Sequence, residues 1–141
     1  MQWIVGPLKK YADFGGRASR SEFWVFMLFV TLLTVAAHYA DGSSGRDVTV
    51  ALNMGMIELS VWLLLLLPSI TVGVRRLHDS GKSGWWMMLV YLPWLATLAA
   101  GANQALIIAA SGALLAGGIA WIVLLLLPGE QGENAYGAPP A

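Results

Sequence analysis

Residues 83 to 129 read SGWWMMLVYLPWLATLAAGANQALIIAASGALLAGGIAWIVLLLLPG and contain no charged side chain. A transmembrane helix needs about 20 apolar residues to cross a hydrocarbon core of about 30 Å. The stretch is therefore too long for one crossing and suits two. The best break is the small, polar segment GANQ at 101–104, because its residue types favour turns. We expect spans at about residues 85–100 and 105–127; a re-entrant hairpin is the competing interpretation.

Two further apolar runs precede this stretch. Residues 23–40 carry no formal charge and predict the first span. Residues 59–74 are also uncharged but short, so we extend the second span back to about residue 50. That extension places Glu58 inside the membrane or at its outer edge.

The composition excludes several classes of protein. Of the 141 residues, 57% are hydrophobic and 11% are charged, whereas soluble domains carry about 25% charged residues. A formal net charge of zero does not indicate nucleic acid as a partner. The absence of cysteine excludes disulfides and thiolate metal sites, and two distant histidines do not predict a metal site. No cofactor is implied.

Lysine and arginine fall unevenly between the predicted spans. The N-terminal segment and the segment between the second and third spans contain seven of them: Lys9, Lys10, Arg17, Arg20, Arg75, Arg76 and Lys82. The segment between the first and second spans has only Arg46. The positive-inside rule places the basic segments in the cytoplasm.

The sequence therefore predicts an all-α fold with both termini cytoplasmic. It is a single membrane domain, residues 1–141, formed by a four-helix transmembrane bundle. A short interfacial helix is expected at residues 7–14, and a cytoplasmic tail at residues 128–141. The fourth span has rows of small residues that could pack within the bundle or support a homo-oligomer: Ala109, Ala113 and Gly117, and Gly112, Ala116 and Ala120.

Three motifs lie at the predicted cytoplasmic face. They are FGGRASRSEFW at 14–24, VRRLHDSGKSGW at 74–85 and PGEQGENAYG at 128–137. In this order they resemble the bacterial "domain of unknown function 805" family of small inner-membrane proteins, and the resemblance covers nearly the whole chain. It implies a multi-pass protein of the bacterial inner membrane with about four spans. It supplies no activity, substrate or catalytic residue.

The charged residues of these motifs admit two interpretations. Five cations are expected at headgroup level near several carboxylates: Arg17, Arg20, Arg75, Arg76 and Lys82, with Asp13, Glu22, Asp79, Glu130 and Glu133. They could form ion pairs that tie the tail and the N-terminal segment to the central motif. Alternatively they could bind an anionic lipid headgroup, because guanidinium groups bind phosphate bidentately. The central motif is expected to form a loop, which includes His78, Asp79, Gly81 and Gly84 as well as the basic residues at 75, 76 and 82. Gly81 and Gly84 would then let backbone amides approach the phosphate.

Two histidines suggest further hypotheses. His78 and Asp79 could act as an acid–base pair, although no nucleophile is paired with them and Asp79 could instead accept backbone amides. Glu58 is costly within a span and is expected to pair with His38, since both lie at similar depth on neighbouring helices. In that case Thr31, Thr34 and His38 would face Glu58 inside the bundle. Otherwise Glu58 would be solvated near Arg46.

Three functions follow. The first is a non-enzymatic module whose cytoplasmic face binds anionic lipid headgroups or a protein partner. The second is a small oligomeric transporter or proton-coupled channel that uses Glu58 and His38. The third is an enzyme that acts on a lipid phosphate through His78 and Asp79, with the weakest support. Membrane lipids are the expected partners, and no nucleic acid is expected.

Overall fold

The structure, a computed structural model, describes residues 2–42 and 54–140. All regular secondary structure in these two ranges is helical, which confirms the all-helical fold class. The elements are helix α1 (Gln2–Lys9), α2 (Arg20–Gly42), α3 (Met56–Asp79), a 3-10 helix (Gly84–Met87), α4 (Met88–Ala99) and α5 (Gln104–Leu126). Among the described helices, α2, α3 and α5 are long and apolar enough to cross a membrane, and Gly84–Ala99 is a shorter apolar segment.

Helix α3 continues past the predicted end of the second span near residue 74. Four motif residues that the sequence placed in a loop therefore lie on its last turns: Arg75, Arg76, His78 and Asp79. The loop interpretation was wrong because charged residues end an apolar run without ending a helix, and arginine is a good helix former. The helix stops only before Gly81, whose φ of +68° is left-handed.

Other boundaries also differ from the prediction. Helix α2 begins at Arg20 and ends at Gly42, so it is longer than the predicted span. Helix α1 occupies Gln2–Lys9 rather than residues 7–14, because the chain leaves the helix at Lys10. The predicted start of the second span near residue 50, and Arg46, lie outside the described residues.

The chain divides into two compact units. The first consists of Met1–Phe14 and Ser21–Val72, and the second of Gly15–Arg20 and Gly73–Ala141. In the first unit, Pro68 of α3 has no N–H, so the carbonyl of Leu64 lacks its helical donor. The hydroxyl of Tyr11 donates to that carbonyl at 2.6 Å. The N-terminal segment thus contacts α3 where proline interrupts the backbone hydrogen bonding.

In the second unit, α4 and α5 pack closely against each other. Pro93 lies within α4 and leaves the carbonyl of Leu89 without a helical donor. Gly117 of α5 lies against this carbonyl, since a β-carbon at Gly117 would be 2.0 Å from the oxygen. Only glycine permits this approach of α5 to the α4 backbone.

The break between α4 and α5 falls within the segment 101–104. Gly101 has a left-handed φ of +55°, which turns the chain. The side chain of Asn103 caps α5 by accepting a hydrogen bond from the amide of Leu106 at 3.1 Å. Asparagine is among the preferred residues at this position.

Candidate functional site

The second unit contains a buried cluster of charge, formed by Arg17, Arg76 and Asp79 and here called the Arg–Asp cluster. Nε of Arg17 donates to Oδ1 of Asp79 at 2.9 Å. Nη1 of Arg76 donates to Oδ2 of the same carboxylate at 2.5 Å. The side chains of Arg17, Arg76 and Asp79 are 1%, 0% and 7% exposed. One carboxylate therefore joins two guanidinium groups that are removed from solvent.

Arg17 also binds the C-terminal tail. Its Nη1 donates to the carbonyl of Gly132 at 2.6 Å and to that of Gly137 at 3.3 Å. Its Nη2 donates to the carbonyl of Glu130. Arg17, which precedes α2, thus donates hydrogen bonds to three backbone carbonyls of the tail that follows α5.

The C-terminus of α5 is capped by arginines from other parts of the chain. The last carbonyls of a helix have no intrahelical donor and carry a partial negative charge. Arg76 donates from Nε to the carbonyl of Leu125 at 3.0 Å and from Nη2 to that of Leu127. Nε of Arg20 also donates to the carbonyl of Leu127, at 3.2 Å. Both arginines therefore stabilise the end of α5.

These contacts assign different roles to the five predicted cations. The side chains of Arg17, Arg75 and Arg76 are buried, and the donors of Arg17 and Arg76 point to protein acceptors. For Arg17 and Arg76 the structure shows the ion-pair network that the sequence offered as one alternative. Arg20 is exposed and Lys82 is half-buried, so these two cations remain accessible.

His78 and Asp79 bind different partners. The imidazole of His78 stacks on the ring of Tyr136, with centroids 3.7 Å apart and planes 4° apart. Its Nδ1 lies 3.2 Å from the carbonyl oxygen of Gly16, to which it can donate. Asp79 instead accepts from the two arginines of the cluster. The two side chains hold the tail and the N-terminal segment, which is not the arrangement of an acid–base pair.

The remainder of the central motif forms a helix cap. The amide of Lys82 donates to the carbonyl of Leu77 at 2.9 Å, and the amide of Gly81 to that of His78 at 3.0 Å. These two bonds, with left-handed Gly81, form a Schellman motif at the end of α3. Lys82 is therefore held in a fixed position directly after the helix. The carboxylate of Glu130 lies over Gly81, where a β-carbon would be 2.3 Å from Oε1.

Gly84 and Gly129 allow close approaches that the sequence did not predict. A β-carbon at Gly84 would lie 2.8 Å from Cγ1 of Val74, so the 3-10 helix packs against α3. At Gly129 a β-carbon would lie 2.1 Å from Oδ2 of Asp79, so the tail passes directly over the Arg–Asp cluster. Glycine is present in both motifs, but its neighbours could not be identified from the motif alone.

The first unit contains the predicted pair of His38 and Glu58. Nδ1 of His38 lies 2.8 Å from Oε2 of Glu58. Glu58 is in the first turn of α3, where a negative charge is favourable, and not deep within a span. The expectation that this face of α2 is enclosed was wrong, since the His38 side chain is 61% exposed. Thr31 and Thr34 are satisfied by carbonyls of their own helix and need no partner from α3.

Asp41 has a role that sequence reasoning missed. Its carboxylate accepts from the amide of Ile57 at 3.1 Å and from that of Glu58 at 2.7 Å. It thus caps the N-terminus of α3 from the end of α2. Gly55 makes room for it, because a β-carbon there would lie 2.1 Å from Cγ of Asp41. A cap supplied from another helix has no signature at the local spacing used to find caps.

Within residues 2–42 and 54–140, no group of three or more histidine, aspartate or glutamate side chains could hold a metal ion. Asp79 accepts from arginines, Glu58 contacts His38, and Asp41 accepts from backbone amides. The carboxylate of Glu130 accepts from the side-chain amide of Asn134 at 2.8 Å.

Comparison with known proteins places the chain among bacterial membrane proteins. A family model described as "Protein of unknown function (DUF805)" matches residues 11–138. The chain is 30% identical over 145 residues to inner membrane protein YhaI of Escherichia coli strain K12, with 99% of this chain and 96% of that protein covered. It is 29% identical over 143 residues to inner membrane protein YhaH of the same strain, with 99% and 97% covered.

A third relative is the uncharacterized protein YiiR of the same strain, 28% identical over 155 residues, with 96% of this chain and 86% of that protein covered. No solved structure matches the chain significantly. The membrane location given in the names of YhaI and YhaH agrees with the presence of the long apolar helices α2, α3 and α5 in this chain. The protein is accordingly a multi-pass protein of the bacterial inner membrane, and it belongs to the DUF805 family, whose function is unknown.

Proposed function

We propose that the chain crosses the membrane four times with both ends in the cytoplasm. Hydrogen bonds of Arg17 support an even number of crossings. Arg17 precedes α2 and donates to Gly132 and Gly137, which follow α5. Groups within hydrogen-bonding distance lie on the same side of a bilayer. Arg17 also pairs with Asp79, which ends α3, so α2 and α3 form one pair of crossings. Because the tail after α5 is on the same side as Asp79, α4 and α5 either both cross the bilayer or both do not.

The length of α5 favours crossing by both helices. It has 23 residues and would rise about 34 Å at about 1.5 Å per residue, which exceeds a hydrocarbon core of about 30 Å. If α5 crosses, the shorter segment Gly84–Ala99 crosses as well. The excess of lysine and arginine in the segments before α2 and after α3 then puts both termini in the cytoplasm.

On this cytoplasmic face, we propose a non-enzymatic module that binds anionic lipid headgroups. The observation that carries this proposal is that Arg20 and Lys82 stay accessible, whereas the arginines of the Arg–Asp cluster are buried and bind protein acceptors. Asp79 is held between two guanidinium groups and is not available as a general base. The accessible cations Arg20 and Lys82 remain, and a cation near an anionic surface favours binding by about 1 kcal/mol.

Lipid analysis of the purified protein tests this function. The variants are Lys82→Gln and the double variant Arg20→Gln/Lys82→Gln, and Arg46→Gln is the control that removes one positive charge from the segment between α2 and α3. The ratio of anionic phospholipid to protein is measured by mass spectrometry after extraction in mild detergent. We expect about five-fold weaker association for each charge removed from the cytoplasmic face. Unchanged anionic lipid in the double variant would contradict the proposal.

A further inference from the structure

A depression of about 300 Å³ lies in the second unit, directly after the central motif. Its lining consists of Trp85, Trp86, Met88 and Leu89. Trp85 is 78% exposed and Trp86 is 45% exposed, so both indoles face outward.

The packing of the 3-10 helix fixes this orientation. Met87 is only 3% exposed, and its Cε would lie 3.0 Å from a β-carbon at Gly73. Met87 therefore points toward α3, as does Gly84, which lies against Val74. With these two residues inward, Trp85 and Trp86 are presented outward by a segment that packs on α3.

A cationic residue, Lys82, shortly precedes the lining residues of the depression in the chain. Lys82 occupies the position after left-handed Gly81 in the Schellman motif, so its backbone is fixed at the end of α3. The Ser83 side chain then accepts from the Trp85 amide at 3.4 Å and starts the 3-10 helix. Only Ser83 and Gly84 separate the ammonium-bearing residue from the first indole. Lys82 takes no part in the Arg–Asp cluster.

We propose that this depression, with Lys82, is a binding site for one anionic phospholipid. The inference rests on the proposed function, because it requires the end of α3 to lie at the cytoplasmic headgroup layer. Indole rings favour the boundary between headgroups and acyl chains. The four apolar side chains contact the upper part of an acyl chain, and the ammonium of Lys82 binds the lipid phosphate. This combination requires both a chain and a charge, so free inorganic phosphate does not bind.

Quenching of tryptophan fluorescence by brominated lipids tests the site. The protein is reconstituted in vesicles of phosphatidylcholine and phosphatidylglycerol at one fixed composition. In one set the phosphatidylglycerol is brominated on an acyl chain, and in the other an equal amount of phosphatidylcholine is brominated. The chain has seven tryptophans, so the signal of the site is the difference between the wild type and Trp85→Phe/Trp86→Phe.

We expect this difference signal to report about five-fold preference for the brominated phosphatidylglycerol, as one cation at an anionic lipid provides. Lys82→Gln removes the preference, whereas Lys82→Arg and Arg46→Gln retain it. Inorganic phosphate does not compete. Equal quenching by the two brominated lipids in the wild type would overturn the site, as would a preference that persists in Lys82→Gln.

Two outcomes separate this site from the proposed function. If anionic lipid co-purifies and depends on Arg20 while Trp85 and Trp86 show no preference, the site is wrong and the proposed function stands. If no anionic lipid associates with the protein, both are wrong. Protection of the indoles by a protein partner, with no lipid preference in its absence, would also overturn the lipid site.

Discussion

The carboxylate of Asp79 accepts hydrogen bonds from two guanidinium groups that are removed from solvent. It lies on the last turn of α3, and it offsets part of the buried positive charge of Arg17 and Arg76. Breaking a buried ion pair by removing one partner costs about 3–5 kcal/mol, because the other charge remains buried. Asp79 is therefore the residue on which attachment of the tail most depends.

Asp79→Asn is expected to lower the free energy of unfolding by about 3–5 kcal/mol. The amide is similar in size to the carboxylate but carries no negative charge, and its nitrogen cannot accept a hydrogen bond from a guanidinium group. Thermal unfolding in detergent measures the change, and limited proteolysis should show earlier cleavage of the tail. Glu133→Gln is the control, since Glu133 is exposed and its replacement should change stability by less than about 0.5 kcal/mol. Equal melting temperatures for the two variants would contradict the bridging role of Asp79.

At the scale of elements, α4 and α5 meet at a carbonyl that proline has freed. Pro93 cannot donate to the carbonyl of Leu89, and the backbone of Gly117 lies against that oxygen. A Cα–H group can make a weak hydrogen bond to such a carbonyl at helix–helix interfaces. Pro93 thus frees the carbonyl of Leu89, and Gly117 allows the backbone of α5 to approach it.

Gly117→Ala is expected to destabilise the protein by about 1–3 kcal/mol, because the added methyl group would overlap the Leu89 carbonyl and force the helices apart. Gly118→Ala is the matched control. Apart from its chain neighbours and the nearby backbone of α5, no described atom lies within 4 Å of a β-carbon at Gly118, and alanine has the higher helix propensity. Melting temperatures in one detergent compare the two. A Gly117→Ala protein as stable as Gly118→Ala would rule out the close approach.

The two ends of helix α3 are capped in different ways. Asp41, from the end of α2, caps its N-terminus, and the Schellman motif around Gly81 closes its C-terminus. The C-terminal cap could have been recognised from the order of Ser80, Gly81 and Lys82 after a helical run. The N-terminal cap could not, because Asp41 and Ile57 are brought together only by tertiary structure.

At the scale of the whole molecule, the contacts of Arg17 concern topology. They join the segment before α2 to the tail after α5, which supports the proposed even number of crossings between them. Four crossings and a cytoplasmic C-terminus are the arrangement that we propose. The short segment Gly84–Ala99 is the crossing that hydropathy alone supports least.

Reporter fusions test this topology. Green fluorescent protein fused after Ala141 is expected to fluoresce, because it folds on the cytoplasmic side, and alkaline phosphatase at the same position is expected to be inactive. Phosphatase fused after Ala102, between α4 and α5, is expected to be active in the periplasm. Active phosphatase after Ala141 would contradict a cytoplasmic C-terminus, and inactive phosphatase after Ala102 would favour the re-entrant hairpin.

The sequence by itself determined that the chain is helical, lies in a membrane and belongs to the DUF805 family. Long apolar runs suffice for this, because each backbone group in a bilayer must be satisfied within its own helix. The break near Gly101 and the contact between His38 and Glu58 were also predictable, since turn residues and helical rise are local properties.

Only the tertiary structure decided what the charged motifs contact. The arginines at 17 and 76 bind backbone carbonyls of the tail and of α5, and a carbonyl is the same in every residue. No sequence pattern can therefore identify such a partner. The same limit explains why the sequence could not distinguish the cations Arg17 and Arg76, which are buried, from Lys82, which is accessible.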